Sequence, residues 1–168
     1  MNTNNHLDLS IIIPCYNEED NIKLTLSKIS EYLKENFLSV KYEILPINDG
    51  STDKTKKIIE ELSKRNKNII PNLGFDYNKG RGTAIKCGIN TSVGKYIICL
   101  DADLSCDVDH IKDILNSFRD FPEADVVIVS PYMPGGSVSN VPFVRLWLSI
   151  IANWILRGSY STKLHTVT

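Results

Sequence analysis

A chain of 168 residues has room for one hydrophobic core, and a formal net charge of −1 lacks the basic excess that would hold a nucleic-acid backbone. An apolar share of 42% excludes a disordered chain. Met1 to Asp8 carry no apolar run, so no secretory signal is expected at this end and the expected compartment is the cytoplasm.

Residues 9–14 are apolar apart from Ser10 and end at Pro14, which cannot donate to a continuing ladder, so they predict a first strand. Asn17, Glu18, Glu19 and Asp20 follow as a cap and a negative first turn, and Ile22, Leu26, Ile29 and Leu33 recur at helical spacing. The same period then repeats. Residues 42–47 predict a second strand interrupted by Pro46, and Asn48 to Asp53 are turn residues opening a helix with Ile58, Ile59 and Leu62 on one face. A third strand is expected over 68–71, followed by a loop over 76–83 and a short helix containing Ala84, Ile85 and Ile89. The run 95–100 suits a strand buried on both faces. Residues 107–118 predict a helix with Ile111, Ile114, Leu115 and Phe118 inward, and 124–129 a fifth strand. Strands alternating with helices imply an α/β fold with right-handed crossovers and a mostly parallel sheet. The four cysteines, Cys15, Cys87, Cys99 and Cys106, have no paired metal spacing and are given no chemistry.

Ligands of open parallel sheets sit beyond the carboxyl ends of the strands, so three loops on that edge matter. After the fourth strand come Asp101 and Asp103, whose spacing would point both carboxylates the same way along an extended backbone, with Ala102 leaving the backbone between them accessible. Hard oxygen ligands there suit Mg²⁺ or Mn²⁺ bridging to a diphosphate; equally, two such residues can merely end a strand and cap a helix. Pro14-Cys15-Tyr16-Asn17-Glu18 and Asn48-Asp49-Gly50-Ser51 also open helices at this edge, where an Asp can accept an imino proton of uracil or guanine. Lys79 and Arg81, set among Gly80 and Gly82, add cations fit for phosphates.

Taken together these segments resemble the GT-A glycosyltransferases of family 2, and within them the dolichyl-phosphate mannosyltransferases and related polyprenyl-phosphate sugar transferases. Residues 14–18 resemble P-x-Y-N-E, 48–53 D-D-G-S-x-D, 78–84 N-x-G-K-G-x-A, and 101–104 the D-A-D-L segment with its D-x-D metal motif. The resemblance implies a GT-A, Rossmann-like sheet flanked by helices and an inverting, metal-dependent hexosyl transfer from a UDP- or GDP-sugar. It implies nucleotide-sugar contacts from Pro14, Tyr16, Asn17, Glu18, Asp49, Gly50, Ser51, Lys79, Arg81, Asp101 and Ala102. It gives Asp101 and Asp103 the ion, with Asp103 as the catalytic ligand, and Arg145 and Ser149 an acceptor lipid phosphate through R-x-x-x-S.

There are departures from the pattern. Asn48 stands where the family usually has Asp, Ser105 where many members have Gln, and Pro131 where Ser-Arg-Tyr is common, which removes a cation expected near the phosphates. The chain stops where such proteins normally continue, so a C-terminally truncated single domain is expected, with a donor half over 1–130 and the start of an acceptor half over 131–168. The apolar run 143–156 is too short to cross a bilayer; a helix lying in the membrane interface and a packing helix both suit it.

Residues 126–168 contain no Asp or Glu but hold Arg145, Arg157 and Lys163. A sugar hydroxyl attacking the donor needs a general base, whereas a lipid phosphate is already an anion and needs cations to hold it. A polyprenyl (dolichyl) phosphate acceptor at the cytosolic membrane face is therefore expected. Transfer to a sugar hydroxyl, nucleotidyl transfer and a non-catalytic nucleotide-sugar binding remnant stand as alternatives. A nucleotidyltransferase would be expected to carry a Gly-rich basic loop after the first strand, where Pro14-Cys15-Tyr16 stands instead.

Overall fold

In the computed structural model, which describes residues 7–103 and 107–129, the alternation becomes β1 (Leu7–Cys15), α1 (Ile22–Asn36), β2 (Tyr42–Asp49), α2 (Thr55–Arg65), β3 (Leu73–Phe75), α3 (Arg81–Thr91), β4 (Gly94–Cys99) and α4 (His110–Asp120). The chain divides into two compact units, Met1–Asp113 and Ile114–Thr168. The strands form one sheet in the order β3-β2-β1-β4, and every pairing is parallel. All strand carboxyl ends therefore meet at one edge.

β1 and β2 are the central strands because their sequences are apolar on both faces: Ile11, Ile12, Ile13, Ile44, Leu45 and Ile47 are fully buried. α1 covers the sheet with the expected stripe of Ile22, Leu26, Ile29 and Leu33, each at 0% exposure. Ala84 of α3 joins Ile12, Leu45 and Ile47 in a core cluster.

Both strand prolines lie inside their strands rather than ending them, and the ladder explains why. The Leu100 N–H donates to the Ile12 carbonyl at 3.0 Å, so Ile12 and, two residues on, Pro14 face β4. Pro14 therefore ends the pairing with β4, while its pairing with Ile47 of β2 continues. Pro46 faces the opposite flank, as does Ile44, which bonds to Asn68 and Ile70. There the neighbouring chain turns at Asn72, with φ 60°, before β3 begins, so no ladder bond is lost.

Three expectations are corrected. The third strand is Leu73–Phe75, and residues 68–71 contribute only an isolated bridge from Ile69 to Ile44, because Pro71 and the left-handed Asn72 break the run. β4 is not buried on both faces: Ile98 is enclosed but Ile97 is 40% exposed, since β4 is the edge strand among the described residues. Residues 124–129 form no strand, and Val126 and Ile128 are exposed; an apolar run becomes a strand only where a neighbour supplies ladder partners. The inward positions of α3 are Ala84 and Gly88, the latter close against the Ile12 side chain, and Ile89 is exposed.

Candidate functional site

The chain steps from β1 outward to β2 and β3, then returns to place β4 on the other side of β1. The order reverses between β1 and β4, and in parallel sheets that reversal opens a crevice at the carboxyl edge. A cavity of about 490 Å³ lies there, lined by Pro14, Cys15, Tyr16 and Glu18 from the end of β1, Asp49 from β2, Asn78, Gly80 and Arg81 from the loop into α3, and Asp101, Ala102 and Asp103 beyond β4. Its size suits a nucleotide-sized ligand. Eight of the residues expected at the site thus share one wall, while Asn17, Gly50, Ser51 and Lys79 do not line it. Arg145 and Ser149, with Ser105, Pro131 and the run 143–156, lie outside the described residues.

Asn17 and Ser51 instead join two helix entrances to each other. The Asn17 N–H donates to the Ser51 hydroxyl at 3.1 Å, and the Asn17 side-chain oxygen accepts the Thr52 N–H at 2.8 Å. The Glu18 N–H donates to Thr55 and the Glu19 N–H to Asp53, while Glu19 accepts the Lys54 N–H in return. Backbone N–H groups of the loop entering α1 are thus satisfied from the loop entering α2, and those of the second loop from the first. Asn17 sits at φ 55°, a conformation Asn tolerates better than most residues.

Asp49 is 3% exposed, and its two oxygens accept the N–H groups of Lys79 at 2.8 Å and Gly80 at 2.9 Å. It thereby fixes the loop that carries Arg81. Gly50, at φ 72°, lets this turn lie against the Tyr77 backbone, where a Cβ would overlap it. The Lys79 ammonium lies over the rings of Phe75 at 4.3 Å and Tyr77 at 5.0 Å, a cation–π seat away from the cavity wall. Cys15 does line the cavity, but burial, followed by the nearby Glu18 charge, pushes its thiol up to about 12, so it is protonated and unreactive.

The two acidic residues beyond β4 differ from expectation in their backbone. Asp101 follows the strand as irregular chain and Ala102 and Asp103 lie in a turn, so they are not on an extended stretch. Ala102 is buried, not accessible, and its carbonyl accepts the Thr25 hydroxyl of α1 at 2.5 Å. Thr25 was not expected at the site. Its signal was a polar side chain within the apolar stripe of α1, since a fully buried hydroxyl must find a partner. Asp101 accepts two N–H groups from Arg81, at 3.2 and 2.5 Å. That hydrogen bond, reinforced by the charges of Asp101 and Asp103, raises the Arg81 pKa and keeps the guanidinium charged. Among the described residues no group of three or more His, Cys, Asp or Glu could hold an ion alone. Two carboxylates on one cavity wall nevertheless fit Mg²⁺ or Mn²⁺, which take one or two protein carboxylates when substrate phosphates supply further oxygens.

Residues 10–167 match the family described as Glycosyl transferase family 2. The chain belongs to that family. A poly-β-1,6-N-acetyl-D-glucosamine synthase of Staphylococcus aureus is 30% identical over 162 residues, covering 92% of this chain and 37% of that protein. An uncharacterised glycosyltransferase of Synechocystis sp. is 36% identical over 115 residues, covering 68% and 35%. This family 2 chain therefore spans about a third of the length of these curated relatives. Two solved structures share its fold. One is S. aureus TarS 1-349 in complex with UDP, with TM-score 0.59 and 24% identity over 76% of this chain and 40% of that one. The other is the mannosyltransferase PcManGT from Pyrobaculum calidifontis in complex with GDP-Man and Mn²⁺, with TM-score 0.57 and 20% identity over 74% and 36%. The expected GT-A fold is thus found, with its α/β parallel sheet flanked by helices. No helix among the described residues is long and apolar enough to cross a membrane.

Proposed function

We propose that this chain binds a nucleoside diphosphate sugar in the crevice between β1 and β4 and transfers the sugar, with inversion, to an acceptor. The observation that carries this reading is the convergence of Asp101, Asp103 and Arg81 on one cavity with Pro14, Tyr16, Glu18 and Asp49. Carboxylates for an ion, a cation for phosphates and a half-exposed tyrosine fit to cover a nucleoside line the same cavity. The TarS complex with UDP and the PcManGT complex with GDP-Man and Mn²⁺ support the same ligand class. Asp101 and Asp103 would hold Mg²⁺ or Mn²⁺, which when bound neutralises charge on the departing diphosphate. Arg81 adds positive charge beside it, and the Asp49-fixed loop holds Arg81 in place.

The acceptor in this proposal is a polyprenyl phosphate at the cytosolic membrane face, within a single domain whose donor half is 1–130 and whose acceptor half begins at 131. The acid-free, basic stretch 126–168 with Arg145 and Ser149 supports it, because an anionic acceptor needs cations and no general base. A sugar hydroxyl is the second reading, favoured by the relative named as a poly-β-1,6-N-acetyl-D-glucosamine synthase.

Calorimetry with UDP and GDP, each with and without Mn²⁺, tests the donor site: one nucleotide is expected to bind in an ion-dependent way, and failure of both overturns the reading. Single-turnover release of nucleotide from a labelled donor then separates an enzyme from a binding remnant. Stimulation of release by polyprenyl phosphate, lost in Arg145→Ala, is the expected acceptor result. Stimulation by an oligosaccharide alone, with Arg145→Ala silent, selects the sugar hydroxyl.

A further inference from the structure

Arg81 gives both contacting N–H groups, Nε and Nη2, to one oxygen of Asp101, Oδ1. The two side chains are 62% and 44% exposed, and both line the cavity. Among the described residues the guanidinium makes no other hydrogen bond or ion pair, while the backbone just before it is fastened by Asp49. A carboxylate oxygen that already accepts an arginine fork is poorly placed to take a divalent ion, because two cations would then crowd one oxygen and repel each other. The pair is also easily broken, being open to solvent. The side chain that occupies Asp101 is thus the one that can turn to phosphates in the same cavity.

We propose that Arg81 is a placeholder cation on Asp101, displaced onto the donor's phosphates when the ion arrives, so that ion and nucleoside diphosphate bind as a coupled pair and the ion alone binds poorly. This rests on the donor-site reading above. With no nucleotide present, an incoming ion must break the Arg81–Asp101 pair and face a displaced guanidinium with no anionic partner. When a diphosphate arrives with the ion, the guanidinium gains that partner, and the loss at Asp101 is offset. By linkage the nucleotide then raises ion affinity by the same factor as the ion raises nucleotide affinity. Arg81 is the source of part of that factor. Replacing it makes the ion alone bind better while weakening the ternary complex.

The test is Mn²⁺ binding to the whole chain, followed through the electron paramagnetic resonance signal of free Mn²⁺, with and without UDP or GDP. Arg81→Gln is expected to bind Mn²⁺ alone about three- to tenfold more tightly than the unaltered chain, the scale of an exposed ion pair plus the repulsion removed with it. It should also lose most of the gain that nucleotide gives. Arg81→Lys, which keeps the charge but not the fork, should fall between the two. Lys86→Gln changes the charge equally on an exposed position of α3 and should leave Mn²⁺ binding unchanged. If Arg81→Gln leaves the affinity for Mn²⁺ alone unchanged, or Lys86→Gln raises it as much, the placeholder role is overturned, while nucleotide-dependent Mn²⁺ binding by the unaltered chain keeps the donor site standing. If neither protein binds Mn²⁺ with or without nucleotide, both readings fall together.

Discussion

The entrances of α1 and α2 and the rim formed by Arg81, Asp101 and Asp103 lie at the same sheet edge, yet they are held in opposite ways. At the entrances, Asn17, Glu18, Glu19, Ser51, Asp53 and Thr55 satisfy one another through reciprocal backbone and side-chain hydrogen bonds. At the rim, two exposed side chains meet in one ion pair that faces a cavity. Residues that share a family motif therefore divide into those that build the edge and those that present chemistry from it. Asp49 stands between the two groups, lining the cavity while fastening the loop behind the rim.

That intermediate place makes Asp49→Ala the most disruptive change expected. It removes two charge-assisted hydrogen bonds from a buried carboxylate, so unfolding in urea should show a loss of about 2–3 kcal/mol together with weaker nucleotide binding. A residue that only read the base would lower nucleotide affinity and leave the unfolding midpoint where it was. Asp103→Asn, on the exposed rim, should reverse that pattern. Ion-dependent nucleotide binding is expected to fall by about tenfold or more, with a change in unfolding free energy below about 0.5 kcal/mol. Unchanged Mn²⁺-dependent affinity would remove Asp103 from the ion site.

Asn17→Ala sharpens the comparison from the other side. Losing the hydrogen bond from the Thr52 N–H and forcing alanine to φ 55° should cost about 1 kcal/mol, while nucleotide affinity stays constant. Asn17→Gly keeps the backbone relaxed and should lose less. A change in nucleotide affinity at constant stability would move Asn17 to the ligand side.

This division also marks how far the sequence could be read. The parallel sheet, the stripe of α1 and the cavity-lining acids were legible because period and motif act locally: Ile22, Leu26, Ile29 and Leu33 can share a face only on a helix. The roles of Asn17 and Ser51 were not, because a motif gives residue types in order but not which loop they bond to across 34 positions. Thr25 was missed for a similar reason, its partner Ala102 being 77 residues away. The exposure of β4 was missed because an apolar run does not say whether its strand is central or at the edge. Residues 124–129 carried the same ambiguity, since strand propensity expresses itself only where a ladder partner exists.

The smallest expected effect concerns Asp53 and the charge of the helix entrances. Burial by itself raises this carboxyl, but hydrogen bonds from the Thr55 hydroxyl and N–H and from the Glu19 N–H outweigh it and hold the group below its ordinary value of 3.8. A lowered folded-state pKa means that the ionised form favours the folded chain. Its contribution is therefore complete above the unfolded value of 3.8 and is lost as pH falls through the lower folded value. Asp53→Asn has no charge to lose at this position. The unfolding midpoints of the two proteins should differ near neutral pH, with the unaltered chain the more stable, and converge as the pH is taken below that value. A gap that stays constant through the acid range would mean that the hydrogen bonds at the α2 entrance do not depend on ionisation. The Asp53 contacts would then act as neutral hydrogen bonds, and the contrast with the charged rim would be sharper than those contacts imply.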